Sequence, residues 1–98
     1  MKVEQKTVDV IRDMVDGLIQ DSRQFAGIES TREDFRTFID QEAGEVAIMF
    51  LDGPDKDSWS GHLYELKDGK LEIVEYGMFD FVDIDLWPCF NYVEVDIN

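Results

Sequence analysis

One cysteine, two prolines and no long hydrophobic run set the first limits on what this sequence encodes. Cys89 has no cysteine partner, so an intramolecular disulfide is excluded, and a lone thiol is typical of a reducing compartment. The longest apolar run, residues 46–51, is far shorter than the roughly 20 residues of a membrane-spanning helix. Charged residues throughout the first twenty positions argue against a secretory signal peptide. The sequence therefore predicts a cytoplasmic protein with no membrane association.

Basic residues are also scarce. The chain has 23 acidic residues and 9 Lys or Arg, which gives a formal net charge of −14. Residues 45–98 are the most acidic part, and no basic residue follows Lys70. Affinity for phosphate groups comes from Lys and Arg, so this composition argues against direct binding of nucleic acid and of anionic membrane surfaces.

Apolar and aromatic residues are abundant enough for a folded protein. The chain is 44% hydrophobic and 12% aromatic, with seven Phe, three Tyr and two Trp. Disordered acidic chains lack such residues, because they cannot bury enough apolar surface to fold. A length of 98 residues fits one domain, residues 1–98.

The first half of the chain has helical periodicity. Apolar residues recur at three- and four-residue steps, which predicts an amphipathic helix over about residues 3–26. A second helix, over about residues 31–43, is predicted from the capping-box spacing of Ser30 and Glu33. A short apolar stripe follows in that segment and ends at Gly44.

After Gly44 the pattern becomes that of strands. The Asp68-Gly69 pair predicts a type I′ hairpin turn, because both central residues of that turn need a positive φ. Gly77 permits a bulge or bend. The predicted strands cover about residues 45–52, 59–67, 70–77, 79–86 and 91–97, where 79–86 is either a strand or an extended loop. The expected fold class is α+β, with two N-terminal helices packed on one face of a four- to five-stranded, mainly antiparallel meander sheet.

Candidates for catalysis or metal binding are few. A dyad of His62 and Cys89 is arithmetically possible, but a polar strand residue and a small buried hydrophobe are simpler explanations. The acidic loop at residues 52–57 lacks the glycine and glutamate spacing of an EF-hand. Asp83 and Asp85 lie on one face of an extended segment, roughly 7 Å apart, and chance explains such a pair in an Asp-rich chain. We therefore predict no catalytic residue, no metal site and no cofactor.

The last quarter of the chain favours a binding function, because acidic residues there alternate with large aromatics. If the last strands are adjacent, their polar faces form one negative surface suited to a cationic partner. Small acidic inhibitors from phages, and immunity proteins that neutralise nuclease toxins, work in this way. We predict a monomeric acidic module, a nucleic-acid mimic, that binds a basic and nucleic-acid-binding protein. Its predicted contact residues are Glu75, Asp80, Asp83, Asp85, Trp87, Glu94 and Asp96.

Two alternatives stay open at this point. The acidity serves solubility in a housekeeping or salt-adapted domain, or the chain is a weak divalent-metal-binding protein or small enzyme that uses Asp83, Asp85 and His62. A melting temperature that rises steeply with KCl favours the first alternative. Heat released on titration with magnesium, calcium or manganese favours the second.

Overall fold

The computed structural model describes residues 3–27, 29–52, 58–82 and 92–97, with backbone only at 26, 52, 58 and 75–82. The fold is α+β, as predicted, with one long helix against a five-stranded antiparallel sheet in the order β4-β3-β2-β1-β5. The elements are α1 (Gln5–Ala26), a turn of 3₁₀ helix (Arg32–Asp34), β1 (Phe35–Asp40), β2 (Glu45–Asp52), β3 (Ser58–Lys67), β4 (Lys70–Val82) and β5 (Val93–Val95).

Helix α1 forms because its apolar residues lie on one side, and it packs that side on the sheet. Ile11 and Val15 are fully buried there. Gly27 ends the helix in the left-handed conformation (φ 66°), where its N–H donates to the Ser22 carbonyl oxygen. The sheet side chains that join this core are Ile39, Val46, Ile48, Tyr64 and Val95, and Ile97, just after β5, joins it as well.

The prediction of a second helix over residues 31–43 is wrong. The capping box is formed by Thr31 and Asp34, and it encloses a single 3₁₀ turn. The next six residues form β1, whose alternate side chains face opposite sides of the sheet. Phe38 and Ile39 are both buried, one on each side, so the apolar pair that indicated a helical stripe belongs to a two-sided strand.

The last strand does not continue the meander. Strands β1 to β4 follow one another across the sheet, but β5 returns to pair with β1, with Thr37 opposite Val95. The buried Thr37 hydroxyl donates a 2.8 Å hydrogen bond to the Val95 carbonyl oxygen. Strands β4 and β5 are thus opposite edges of the sheet, roughly 19 Å apart at the usual strand spacing. The condition for one joint acidic surface, adjacency of the last strands, is therefore not met by β4 and β5.

The β3–β4 hairpin confirms the predicted turn. Asp68 and Gly69 have φ values of 51° and 74°, as a type I′ turn requires. Between the pairs Tyr64–Ile73 and His62–Met78 the register shifts, so β4 has extra residues there, Gly77 among them. The two segments predicted at 70–77 and 79–86 are joined in one strand as far as residue 82, and residues 83–86 lie outside the described ranges.

A second, smaller apolar cluster lies on the sheet face opposite α1. Phe38, Ala47 and Met49 are buried in it, and Trp59, Leu63 and Tyr92 pack against it partly buried. Both faces of β1 and β2 therefore carry apolar side chains, which is why β2 contains a continuous apolar run and β1 the adjacent pair Phe38-Ile39 rather than a clean alternation.

Candidate protein-binding surface

The sheet order places the four predicted contact residues that lie in the described ranges at two opposite edges. Glu75 and Asp80 are in β4, where the backbone alone is described. Asp83, Asp85 and Trp87 lie outside the described residues. Glu94 in β5 and Asp96 just after it are at the other edge of the sheet.

Glu94 forms an ion pair within the protein. Its carboxylate accepts hydrogen bonds from Nε and Nη2 of Arg36, at 2.9 and 2.6 Å. The same guanidinium lies 5.4 Å from the centre of the Phe38 ring. Glu94 therefore links β5 to β1, and its charge is largely compensated by Arg36. Asp96 is exposed just after β5.

The strand register brings together a different set of carboxylates. Asp40 lies opposite Glu45, Glu45 opposite Glu65, and Glu65 opposite Glu72. Directly opposed side chains of an antiparallel pair point to the same face, with β-carbons about 5 Å apart. Four carboxylates from four neighbouring strands therefore form one line. We refer to Asp40, Glu45, Glu65 and Glu72 as the acidic row.

The acidic row lies on the sheet face opposite α1. In β2, Glu45 and Ala47 are two residues apart and therefore point to the same face. Ala47 belongs to the apolar cluster of that face. Tyr92 packs on the same cluster, and its hydroxyl donates a 3.0 Å hydrogen bond to Oε2 of Glu45. The row runs along the end of the sheet where the turns at residues 41–44 and 68–69 connect the strands.

Hydrogen bonds and an ion pair fix much of the acidic row in place. Oδ1 of Asp40 accepts from two backbone N–H groups, those of Glu42 at 3.1 Å and Ala43 at 3.2 Å. Oε2 of Glu65 lies 2.9 Å from Nζ of Lys67. Together with the Tyr92 bond just described, these contacts give three of the four carboxylates a defined position.

The charge of the row changes the pKa of neighbouring groups. The pKa of Tyr92 is raised to about 12, first by burial and then by the hydrogen bond and charge of Glu45 and the charge of Asp40. At the other end, the hydrogen bond and charge of Glu65 raise the pKa of Lys67. Like charges placed directly opposite each other destabilise a sheet, so the row lowers the stability of the fold.

Two lysines moderate the negative potential at one end of the row. Lys67 pairs with Glu65, and Lys70 lies directly opposite Lys67 on the same face. Both are exposed. At the other end of the row, the described ion pairs include no lysine or arginine paired with Asp40 or Glu45.

The other candidate sites gain no support from the described geometry. Among the described residues, no three side chains of His, Cys, Asp or Glu converge to hold a metal ion. His62 is half-buried beside Tyr64, with ring centroids 6.4 Å apart. Cys89 and the loop at 53–57 lie outside the described ranges. In the described part of the chain, no helix has the length and apolar character needed to cross a membrane.

Sequence reasoning missed the acidic row because its members come from four strands and meet only through the register. The pair Glu65 and Glu72 could be predicted from the sequence. Counting residue pairs outwards from the two-residue turn at Asp68-Gly69 places these two opposite each other. The other half of the row was hidden, because Asp40 was assigned to a helix.

The fold and this surface together define an acidic α+β domain with a helix on one sheet face and a line of carboxylates on the other. No known protein family, curated protein or solved structure matches the chain.

Proposed function

We propose that this protein is a monomeric, cytoplasmic, acidic binding module that acts as a nucleic-acid mimic. It presents the acidic row to the basic surface of a nucleic-acid-binding protein and blocks that surface. The proposal rests on one observation, the register that aligns four carboxylates across β1, β2, β3 and β4. Opposed like charges reduce stability, so a use in binding explains why they are kept together.

The dimensions of the row suit such a partner. Strands lie about 4.8 Å apart, so the four carboxylates span roughly 14 Å. One strand of a nucleic acid carries a charge about every 3.4 Å along the helix axis. The linear charge density of the row is therefore of the same order of magnitude as that of a phosphate backbone. Because most of its carboxylates are already held in place, little side-chain entropy is lost on binding.

The predicted contact residues remain part of the proposal with unequal roles. Glu75 and Asp80 follow Glu72 in β4 and stay predicted contacts. Asp83, Asp85 and Trp87 follow in the chain and stay predicted contacts. Glu94 and Asp96 lie at the opposite sheet edge and are peripheral to the row.

The test compares two variants with the same net charge. In the row variant, Asp40→Asn, Glu45→Gln, Glu65→Gln and Glu72→Gln remove four charges with little change of shape. In the control variant, Asp13→Asn, Asp21→Asn, Glu29→Gln and Glu33→Gln remove four exposed or loop charges outside the row. A third variant reverses the charges of Asp83 and Asp85.

Binding partners are isolated on the immobilised wild-type protein from a heparin-binding protein fraction, purified, and measured individually by calorimetry. We expect the row variant to bind at least about tenfold more weakly than the control variant, and binding to weaken in moderate salt. A nucleic-acid oligonucleotide should compete with the wild-type protein for the partner. If the row and control variants bind equally, or if no basic protein binds, the proposal fails. A melting temperature that rises steeply in KCl would then assign the acidity to solubility.

A further inference from the structure

The outer side of β4 is an accessible sheet edge. No described strand pairs with it. Lys70, Glu72 and Ile73 are all exposed, Ile73 to 62%. From Lys70 to Ile73 the strand pairs regularly with β3, and the register shift begins only beyond Ile73. A bulge interrupts the regular backbone spacing that an added strand needs, so the stretch before the register shift is the part of the described β4 edge with the geometry for strand addition.

The hairpin geometry determines which backbone groups face outwards. Lys67 and Lys70 flank a two-residue turn, and such residues form a hydrogen-bonded pair. Hydrogen-bonded and non-hydrogen-bonded pairs alternate along an antiparallel ladder. The N–H and C=O groups of Leu71 and Ile73 therefore point away from β3. These four groups match the donors and acceptors of an incoming antiparallel strand.

The side chains at this edge specify what such a strand carries. Glu72 ends the acidic row, so a residue opposite it would be the next member of that line, about 5 Å away. Leu71 and Ile73 lie on the α1 face, where Leu71 packs against the core and Ile73 is exposed. A strand with Lys or Arg opposite Glu72, and apolar residues on either side of it, would pair the charge and cover Ile73.

We propose that the β4 edge from Lys70 to Ile73 binds an extended apolar–basic–apolar segment of the partner by β-strand addition. The inference rests on the proposed function, since it assigns the partner's basic residue to the end of the acidic row. Main-chain hydrogen bonds supply affinity in this mode of binding, and alternate side chains supply specificity.

A second copy of the chain fits this edge less well. A two-fold axis at Leu71 would set Lys70 opposite Glu72 of the copy, but the turn at 68–69 limits the pairing to a few residues. Stable interfaces generally bury more than about 1,000 Å². Each copy also has a net charge of −14, which opposes self-association at low salt.

The test uses the full chain and a synthetic peptide of about eight residues, a typical strand length, that has one Lys between two Val and Thr at the other positions. A peptide with Glu in place of that Lys is the control. NMR spectroscopy measures the affinity of each peptide and the hydrogen-exchange rates of the Leu71 and Ile73 amides. We expect the Lys peptide to bind at least about tenfold more tightly than the Glu peptide and to slow exchange at both amides by at least about tenfold.

A pair of variants tests the role of the backbone. Ile73→Pro removes an outward N–H but no bond to β3, so it should weaken peptide binding by about tenfold or more. Ile73→Thr reduces the apolar side chain and keeps the N–H, so it should retain most of the affinity. If Ile73→Pro does not fold, the exchange rates in the wild-type protein decide the question.

Two further outcomes separate this inference from the proposed function. If the Lys peptide shifts the NMR signals of Asp40 and Glu45 but leaves the hydrogen-exchange rates of the Leu71 and Ile73 amides unchanged, strand addition is wrong while the row still binds cations. If neither this peptide nor polylysine binds, both proposals are wrong. Protection of the same two amides without peptide, together with a dimer in sedimentation, would show that a second copy occupies the edge and would overturn the inference.

Discussion

The guanidinium of Arg36 in β1 and the carboxylate of Glu94 in β5 form a two-point hydrogen-bonded ion pair, with contacts of 2.9 and 2.6 Å. Strand β5 has three residues, and its three register pairs with β1 are a short ladder for an edge strand. The ion pair adds a side-chain link beside that ladder. The planar fork of arginine matches a carboxylate at two points, which lysine cannot do.

We expect Arg36→Lys and Glu94→Gln each to lower the free energy of unfolding by about 0.5–1 kcal/mol, the range for well-formed, half-exposed ion pairs. Amide hydrogen exchange across Val93–Val95 should become faster in both variants. Urea unfolding of both single variants and the double variant gives the coupling energy between the two side chains. Glu33→Gln, which removes an exposed charge elsewhere, serves as the control. If the losses in unfolding free energy of the two single variants simply add in the double variant, the Arg36–Glu94 ion pair does not stabilise the fold.

Gly61 and Gly17 should respond in opposite ways to alanine. A β-carbon at Gly61 would overlap the Ile48 carbonyl oxygen and lie 2.9 Å from the Met49 α-carbon, both of them backbone atoms. Gly61→Ala should therefore separate β2 from β3 and lower the free energy of unfolding by about 2 kcal/mol or more. At Gly17, in the exposed middle of α1, nothing lies within 4 Å. Gly17→Ala should stabilise the protein by about 0.5–1 kcal/mol through helix propensity.

Thermal and urea unfolding of the two alanine variants, measured side by side, check this prediction. A glycine within a helix often indicates close packing or a bend. The open space around Gly17 removes the packing explanation. An equal effect of alanine at both glycines would contradict the difference in their surroundings.

The sequence was most informative where one local signal dominated. The periodicity of α1 and the type I′ turn at Asp68-Gly69 each depend on neighbouring residues alone, and both are present. The α+β class followed from these signals. The second helix was wrong because Phe38 and Ile39 are buried on opposite sides of a strand, which hides the alternation that identifies strands.

The candidate site depended on information that is not local. Glu94 was predicted as a partner contact from its place in an acidic stretch, and only the pairing of β5 with β1 brings Arg36 to it. The acidic row likewise exists because Asp40 and Glu45 face each other across a turn that was assigned to a helix. Residue composition indicated an acidic surface, and the order and register of the strands determined which carboxylates lie side by side.

Asp16 and Arg32 should make stability depend on acid pH. Two hydrogen bonds from Arg32, at 2.9 and 2.7 Å, hold the pKa of Asp16 below its usual value, although burial acts in the other direction. A carboxyl whose pKa is lowered by folding contributes stability above its unfolded pKa of about 4, and that stability is lost as the pH falls through the folded pKa. Asp16→Asn should therefore lose less stability than the wild-type protein on acidification.

Urea unfolding at about pH 6 and about pH 3 measures this difference. Asp21→Asn, an exposed change on the same helix, is the matched control and should keep the wild-type pH dependence. If Asp16→Asn and Asp21→Asn show the same dependence, the ion pair to Arg32 does not contribute in solution.

Tyr92 should report the charge of the acidic row at alkaline pH. Its pKa of about 12 has burial as the first cause and Glu45 as the second, through a hydrogen bond and through its charge. Glu45→Gln removes the charge, so the pKa of Tyr92 should fall while burial keeps it above the usual value of about 10. NMR titration of ring-labelled tyrosine, with Tyr92→Phe to assign the signal, measures this pKa.

The same raised pKa links Tyr92 to stability with the opposite sign from Asp16. A folded state that holds the phenolic proton more tightly contributes its full stabilisation below about pH 10 and loses it as the pH rises through the folded pKa. Glu45→Gln should reduce this alkaline loss, whereas Glu33→Gln, with the same change in net charge, should not. If Tyr92 titrates at the usual pKa of tyrosine, or if Glu45→Gln leaves its pKa unchanged, the hydroxyl does not contact the row. The position of Glu45 in the proposed binding surface would then have to be revised.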